Sequence, residues 1–149
     1  MDVLLIEDSP GDVRLTCEAF RDVNKSIQVH VAPDGLEAIA FLRRRGMYAY
    51  APRPKLILLD LNLPEMNGHD VLARVKEDEV LKSIPTVVMT TADWDVDIFK
   101  SYQLQANCYI QKPTHFDGFQ SLVRSINRFW LTDNSARVPT TTANGLGAQ

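Results

Sequence analysis

Residues 56–64 read Leu-Ile-Leu-Leu-Asp-Leu-Asn-Leu-Pro, so four consecutive aliphatic side chains are followed directly by an aspartate. An apolar run without polar alternation is typical of a strand that is buried on both faces of a parallel sheet. In open α/β sheets the carboxyl ends of the strands line one crevice. The aspartate, Asp60, is therefore predicted to lie at the mouth of that crevice.

Three further apolar runs end in the same way, directly before residues that can bear chemistry. The residues that follow the four runs are, in chain order, Glu7-Asp8, Asp60, Thr91-Ala92 and Lys112-Pro113. Because parallel strands direct their carboxyl ends to the same edge of a sheet, these residues are predicted to meet although they are far apart in the sequence. The crevice would then hold three acids, a hydroxyl and an ammonium.

Strand and helix patterns alternate five times along the chain, which predicts an α/β fold. The expected architecture is a flavodoxin-like, doubly wound, five-stranded parallel sheet with strand order 2-1-3-4-5 and five helices. The predicted strands cover residues 2–7, 27–31, 56–59, 86–91 and 108–111. The fourth helix is predicted at 93–104, and the fifth from apolar residues at helical spacing between Phe116 and Trp130.

The three acids indicate a divalent metal site. Mg²⁺ prefers oxygen ligands in near-octahedral geometry and usually keeps several waters, so two or three carboxylates and a carbonyl suffice to bind it. Glu7, Asp8 and Asp60 can supply the carboxylates. The sequence therefore predicts Mg²⁺ as a cofactor.

The same residues indicate phosphoryl chemistry on a carboxylate. A carboxylate can act as a nucleophile and form an acyl phosphate. Phosphoryl transfer depends mostly on positioning and on electrostatic stabilisation of the phosphoryl oxygens. The Lys112 ammonium, the Thr91 hydroxyl and the Ala92 backbone N–H are predicted to serve those purposes.

Together these stretches resemble the response-regulator receiver domain of bacterial two-component signalling, over about residues 1–131. The matching motifs are Ile6-Glu7-Asp8-Ser9, Leu58 to Pro64 with Asn67-Gly68, Met89-Thr90-Thr91-Ala92 and Tyr109-Ile110-Gln111-Lys112-Pro113. The resemblance implies that Asp60 accepts a phosphoryl group from a histidine kinase. It also implies that Glu7, Asp8, Asp60 and the backbone carbonyl of Asn62 bind the metal.

The resemblance further implies a conformational switch. Thr91 would be the hydroxyl that moves toward the phosphoryl group, Lys112 its fixed cationic partner, and Tyr109 the aromatic whose rotamer follows. Thr90 is the rival to Thr91, and the neighbouring Ala92 favours Thr91 in the family pattern. The resemblance also implies a cis peptide bond between Lys112 and Pro113. Such a bond is plausible because only X-Pro bonds adopt the cis form at a small cost in free energy.

Finer features resemble the single-domain regulators that are paired with bacterial phytochromes. They are a two-proline insertion before the third strand, the Leu59-Asp60-Leu61-Asn62-Leu63-Pro64 run, Asn107-Cys108-Tyr109 and the terminal Phe129-Trp130-Leu131. Regulators of this kind often dimerise through the face formed by helix 4, strand 5 and helix 5. The resemblance thus implies a phytochrome-type kinase as partner and a homodimer.

Length and composition limit the other possibilities. A chain of 149 residues suits one domain, predicted at 1–131, and the polar residues 132–149 are expected to form a disordered tail without an output domain. The formal charge of −3 argues against nucleic-acid binding. The absence of a membrane-length apolar run and of a signal peptide predicts a cytoplasmic protein.

The function predicted from these features is that of a phosphoacceptor signalling protein, which performs only its own phosphorylation and dephosphorylation. Its output would be protein contact through the surface from strand 4 to helix 5. Two alternatives remain open, a phosphorelay intermediate that passes the phosphoryl group to a histidine phosphotransfer protein, and a phosphorylation-independent interaction module. An aspartate-nucleophile phosphatase is disfavoured, because such enzymes carry a second Asp where this chain has Asn62.

Overall fold

The computed structural model describes residues 1–91 and 106–132. The strands within these ranges are β1 (Asp2–Ile6), β2 (Gln28–Ala32), β3 (Leu56–Asp60), β4 (Thr86–Thr90) and β5 (Cys108–Gln111). The α-helices there are α1 (Pro10–Val23), α2 (Gly35–Leu42), α3 (Gly68–Glu77) and α4 (Phe116–Ile126). A π-helical turn, Asn127–Leu131, continues α4.

The five strands form one parallel sheet in the order β2-β1-β3-β4-β5. This order confirms the predicted doubly wound fold. All five residues of β3, from Leu56 to Asp60, are buried, as its unbroken apolar run predicts for a central strand. β2 lies at one edge, and its pattern of half-buried and exposed residues agrees with that position.

Helices cover both faces of the sheet. On one face α1 and α4 contribute Phe20 and Phe119, both buried, to a core shared with β1, β3 and β4. On the other face α2 and α3 contribute Phe41 and Leu72 to a second core. The apolar faces of the helices cover both faces of the sheet. The crevice of the fold therefore lies at the carboxyl ends of the strands, where the polar groups are.

Local signals in the sequence fix where the helices begin. Ser9 precedes α1, and its hydroxyl accepts a hydrogen bond from the backbone N–H of Asp12. Pro10 is the first helical residue, where its missing N–H costs nothing. Asn67 caps α3 in the same way by accepting from the N–H of Asp70. Both helices therefore start at the carboxyl edge of the sheet, next to β1 and β3.

Some of the predicted features lie outside the described residues, and one differs from the structure. The helix expected at 93–104 and the tail at 132–149, apart from Thr132, lie outside the described residues. The expected cis bond before Pro113 is wrong, since the described part of the chain contains no cis peptide bond. The trans form is the lower in free energy by about 0.5–1 kcal/mol for an ordinary X-Pro bond, and here it is the one adopted. None of the helices in 1–91 and 106–132 combines the length and hydropathy that crossing a membrane requires.

Candidate functional site

Three strand ends bring Glu7, Asp60 and Lys112 together. Glu7 follows β1, Asp60 ends β3 and Lys112 follows β5, and all three are buried, with 1%, 2% and 8% of their surface exposed. The Lys112 Nζ lies 2.6 Å from Glu7 Oε1 and 2.9 Å from Asp60 Oδ2. Buried charges are tolerated when they are paired, and Lys112 forms an ion pair with both acids.

The backbone holds these residues in place from both sides. The Glu7 N–H donates to the carbonyl of Ala32 at 3.0 Å, and the Lys112 N–H donates to the carbonyl of Thr90 at 2.9 Å. The Ser9 N–H donates to Glu7 Oε2 at 3.1 Å. The site is therefore built on the ladder of the sheet, which makes its geometry more precise than a site on loops alone.

Glu7, Asp8 and Asp60 form the predicted acid cluster. One carboxylate oxygen from each lies within 4.8 Å of the others. Asp8 is exposed while Glu7 and Asp60 are buried, so the cluster opens to solvent on one side. Hard oxygen ligands with an open side suit a divalent cation that keeps part of its water shell. The residues present therefore fit the metal that the sequence predicts.

The Asp60 carboxylate is held at both oxygens. Its Oδ1 accepts from the backbone N–H of Asn62 at 2.9 Å, and its Oδ2 accepts from Lys112. The side-chain amide of Asn62 donates to Thr91 Oγ at 3.0 Å. The structure thus places Asn62 between the predicted acceptor and the predicted switch hydroxyl. The role of the Asn62 carbonyl as a metal ligand stays a prediction.

The structure also describes three further residues that are predicted to take part in the switch. Thr91 is exposed just beyond β4, whereas Thr90 is only 1% exposed, which agrees with the choice of Thr91 over Thr90. Tyr109 is half-buried against the core on the α2 and α3 face. Pro113 is half-buried beneath the start of α4. Ala92 lies outside the described residues, and the motions assigned to these groups stay predictions.

The structure adds one acid, Asp12, that does not follow a strand and so is not part of the strand-end pattern. Asp12 Oδ2 lies 2.7 Å from Lys112 Nζ, closer than the Asp60 oxygen. Asp12 belongs to the first turn of α1, which begins at the carboxyl edge of the sheet. Acids are common in first helical turns because they interact favourably with the helix dipole. An acid at this position therefore does not by itself indicate a site residue, and Asp12 could not be predicted from the sequence.

Burial and neighbouring charges shift two pKa values in the cluster. The pKa of Glu7 is raised from 4.5 to about 7, mainly because the carboxyl is buried; Lys112 opposes this shift and Asp60 adds to it. Burial acts to lower the pKa of Lys112, but hydrogen bonds to Asp12, Glu7 and Asp60 outweigh it and raise that pKa above its ordinary value. Lys112 therefore stays protonated at every pH at which Glu7 titrates.

The raised pKa of Glu7 predicts a pH-dependent stability. Below pH 4.5 the carboxyl is protonated in the folded and the unfolded chain, so it contributes no pH dependence. Between pH 4.5 and about 7 the unfolded chain gives up this proton first, so the free energy of unfolding falls as pH rises. The loss levels off above about pH 7 at no more than roughly 3 kcal/mol. Urea unfolding in EDTA from pH 5 to 8 measures this loss of free energy of unfolding. The Glu7→Gln variant should show a weaker dependence of that free energy on pH. An unchanged slope in the variant would contradict the assignment of the pH dependence to Glu7.

Comparison with known proteins decides the family. The model of the response regulator receiver domain matches residues 3–124. This chain belongs to that family. It is also 43% identical over 129 residues to the response regulator Rcp1 of Synechocystis sp. (strain ATCC 27184 / PCC 6803 / Kazusa), a match that covers 87% of this chain and 88% of Rcp1. The chain is therefore a receiver, a phosphoacceptor signalling protein of two-component systems rather than a classical enzyme.

Solved structures agree with this assignment. The phosphorylated cyanobacterial phytochrome response regulator RcpA shares 45% identity with this receiver, has a TM-score of 0.84 and covers 90% of this chain and 96% of its own. The Mn²⁺-bound form of Rcp1 shares 42% identity at a TM-score of 0.82, with the same coverage. The bacteriophytochrome response regulator RtBRR shares 37% identity at a TM-score of 0.73, covering 90% of this receiver and 82% of its own chain. This receiver is thus related to phytochrome response regulators, and its family binds a divalent metal.

Proposed function

We propose that this receiver accepts a phosphoryl group on Asp60 from a phytochrome-type histidine kinase and signals through protein contacts. The observation that carries the proposal is the Asp60 carboxylate itself. It is 2% exposed, lies at the end of the central strand, and is held at one oxygen by Asn62 N–H and at the other by Lys112. The relation to the phytochrome regulators RcpA and RtBRR supports the choice of kinase.

The reaction follows from the groups around Asp60. A carboxylate oxygen of Asp60 attacks the phosphorus of a phosphohistidine, a new O–P bond forms, and the N–P bond breaks as the histidine nitrogen keeps the electron pair and is protonated. Water later attacks the same phosphorus, which releases inorganic phosphate and restores the carboxylate. Both steps place negative charge on the phosphoryl oxygens, and the Lys112 ammonium lies within hydrogen-bonding distance of Asp60 to stabilise it.

Mg²⁺ is the metal proposed for the site. Glu7, Asp8 and Asp60 would hold it, together with the Asn62 carbonyl, and when bound it would neutralise charge on the phosphoryl oxygens. The Mn²⁺-bound structure of Rcp1 shows a divalent metal in that relative. Oxygen ligands and an open side suit Mg²⁺, which dehydrates reluctantly.

The output we propose is self-association through the face from β4 to α4, which would also include the helix predicted at 93–104. The receiver itself is proposed to occupy residues 1–131, because the described core ends at Leu131, which is 1% exposed. Thr91 directly follows β4 and Tyr109 lies on β5, so both belong to this face. They are proposed to shift its population between two arrangements on phosphorylation.

Light scattering coupled to size-exclusion chromatography tests the proposal. With Mg²⁺ present, an acyl-phosphate donor or beryllofluoride is expected to raise the measured mass from about one chain toward two, and omission of the donor should prevent the rise. Confirmed labelling without a mass change would contradict self-association and favour a relay to a histidine phosphotransfer protein, which transfer to such a protein would then show directly. Failure of labelling would contradict the phosphoacceptor role and favour a phosphorylation-independent module.

A further inference from the structure

The Lys112 ammonium has three carboxylate neighbours. Its Nζ lies 2.6 Å from Glu7 Oε1, 2.7 Å from Asp12 Oδ2 and 2.9 Å from Asp60 Oδ2. A lysine ammonium has three N–H donors, so each acid can take one of them. Three carboxylates therefore surround the ammonium, and any group that competes for one of these acids changes how the ammonium is held.

The three neighbours fall into two kinds. Glu7 and Asp60 belong to the acid cluster whose oxygens lie within 4.8 Å of one another, and Asp12 does not. A divalent cation on Glu7 and Asp60 would share those carboxylates with Lys112 and repel its ammonium, since like charges a few ångströms apart repel strongly in a poorly hydrated site. Asp12 is the neighbour whose attraction for Lys112 is left intact by that cation.

Asp12 is well fixed for such a role. Its backbone N–H donates to Ser9 Oγ at 3.3 Å, and its carbonyl accepts from Thr16 Oγ1 at 2.7 Å, so the first turn of α1 is held on both sides. Its side chain is 31% exposed, while that of Lys112 is only 7% exposed. The Asp12 carboxylate thus holds the ammonium from the α1 side and remains partly hydrated itself.

We propose that Asp12 is a positioning residue that retains Lys112 when a divalent cation binds Glu7, Asp8 and Asp60. The cation then enters without expelling the ammonium, and Lys112 stays beside the oxygen of Asp60 that it contacts. The consequence for phosphoryl transfer rests on the proposed function. The effect on cation binding does not, and it can be measured without any phosphoryl donor.

Calorimetric titration with Mg²⁺ tests this proposal by a double-mutant cycle. Asp12→Asn should raise the Kd for Mg²⁺ about 5-fold, because Lys112 then depends on Glu7 and Asp60 alone and competes with the cation. In a Lys112→Met background the same change should alter the Kd less than about 2-fold. Residues in contact show such coupling, whereas independent sites have additive effects.

Two further variants separate positioning from a structural role. Asp12→Glu should restore the Kd to within about 2-fold of the original, because it keeps the charge. Asp70→Asn is the matched control, since Asp70 occupies the same helical position in α3 with the same kind of cap but has no ion pair with Lys112 among the described contacts. It should leave the Kd unchanged, and urea unfolding shows whether every variant is folded.

The outcomes decide the proposal in either direction. Equal changes from Asp12→Asn in both backgrounds would show that its charge acts on the cation directly and would overturn the role through Lys112. An unchanged Kd in the original background, or no Mg²⁺ binding at all, would overturn it as well. If the cycle shows coupling while an acyl-phosphate donor leaves the protein unlabelled, the proposed function fails and the positioning role of Asp12 stands.

Discussion

Asp60→Asn is expected to abolish phosphoryl incorporation from an acyl-phosphate donor, with a loss of at least about 100-fold. A neutral carboxamide oxygen is a far weaker nucleophile than a carboxylate, and the variant also removes one negative charge from the acid cluster. The measurement is acid-labile phosphoprotein in the presence of Mg²⁺, followed by intact mass. Because the loss affects the reacting group itself, no increase in donor concentration should restore it.

The variant is expected to remain folded. Lys112 keeps two carboxylate partners, Glu7 and Asp12, when Asp60 becomes an amide, and the amide oxygen can still accept a hydrogen bond. Asp70→Asn again serves as control, since it neutralises an exposed acid near the same edge of the sheet. Label that persisted in Asp60→Asn, or that vanished equally in Asp70→Asn, would refute the choice of Asp60 as acceptor.

Gly68→Ala is expected to lower the free energy of unfolding by about 3 kcal/mol, near the upper end of overpacking effects. A methyl group at Gly68 would lie 2.5 Å from Leu61 Cα and 2.8 Å from the Asp60 carbonyl oxygen. Both are backbone atoms, one in the last residue of β3 and one in the residue after it, so neither can rotate away. The start of α3 and the segment after Asp60 would have to separate, which should also impair labelling at Asp60. Urea unfolding measures the shift in midpoint at an unchanged m value.

Gly11→Ala is the matched substitution for that experiment. A methyl group at Gly11 would meet only Ser9 Oγ, at 4.0 Å, and Gly11 lies in the first turn of α1. Alanine there should be neutral or stabilising by up to about 1 kcal/mol, because it reduces the freedom of the unfolded chain. A similar loss in both variants would mean that glycine-to-alanine changes act generally, and the close approach at Gly68 would no longer explain the effect.

The sheet could be predicted from the sequence because its strands carry strong and separate signals. The uninterrupted apolar run of β3 predicted burial on both faces, and the predicted strand order put β2 at an edge, as the structure has them. Once the strand order was given, the meeting of Glu7, Asp60 and Lys112 followed from parallel topology alone. Those inferences depend on backbone direction, which local patterns determine well.

The details of the site could not be predicted because they depend on side-chain directions. Asp12 has the same sequence signature as Asp70, an acid in the first turn of a capped helix, yet only Asp12 contacts Lys112. What distinguishes them is a tertiary fact, since α1 packs on one face of the sheet and α3 packs on the other. The isomer of the bond before Pro113 was predicted wrongly for a related reason, since cis and trans differ by about 1 kcal/mol or less locally and the surroundings select one.

The hydrogen bond from Asn62 to Thr91 connects the two segments of backbone that follow β3 and β4. Asn62 holds Asp60 Oδ1 with its backbone and Thr91 Oγ with its side chain, so one residue joins the end of β3 to the end of β4. If Thr91 moves toward a phosphoryl group as proposed, it must release this amide. Hydrogen bonds of this kind contribute only about 1 kcal/mol, so the release of this one would oppose the proposed movement of Thr91 only weakly.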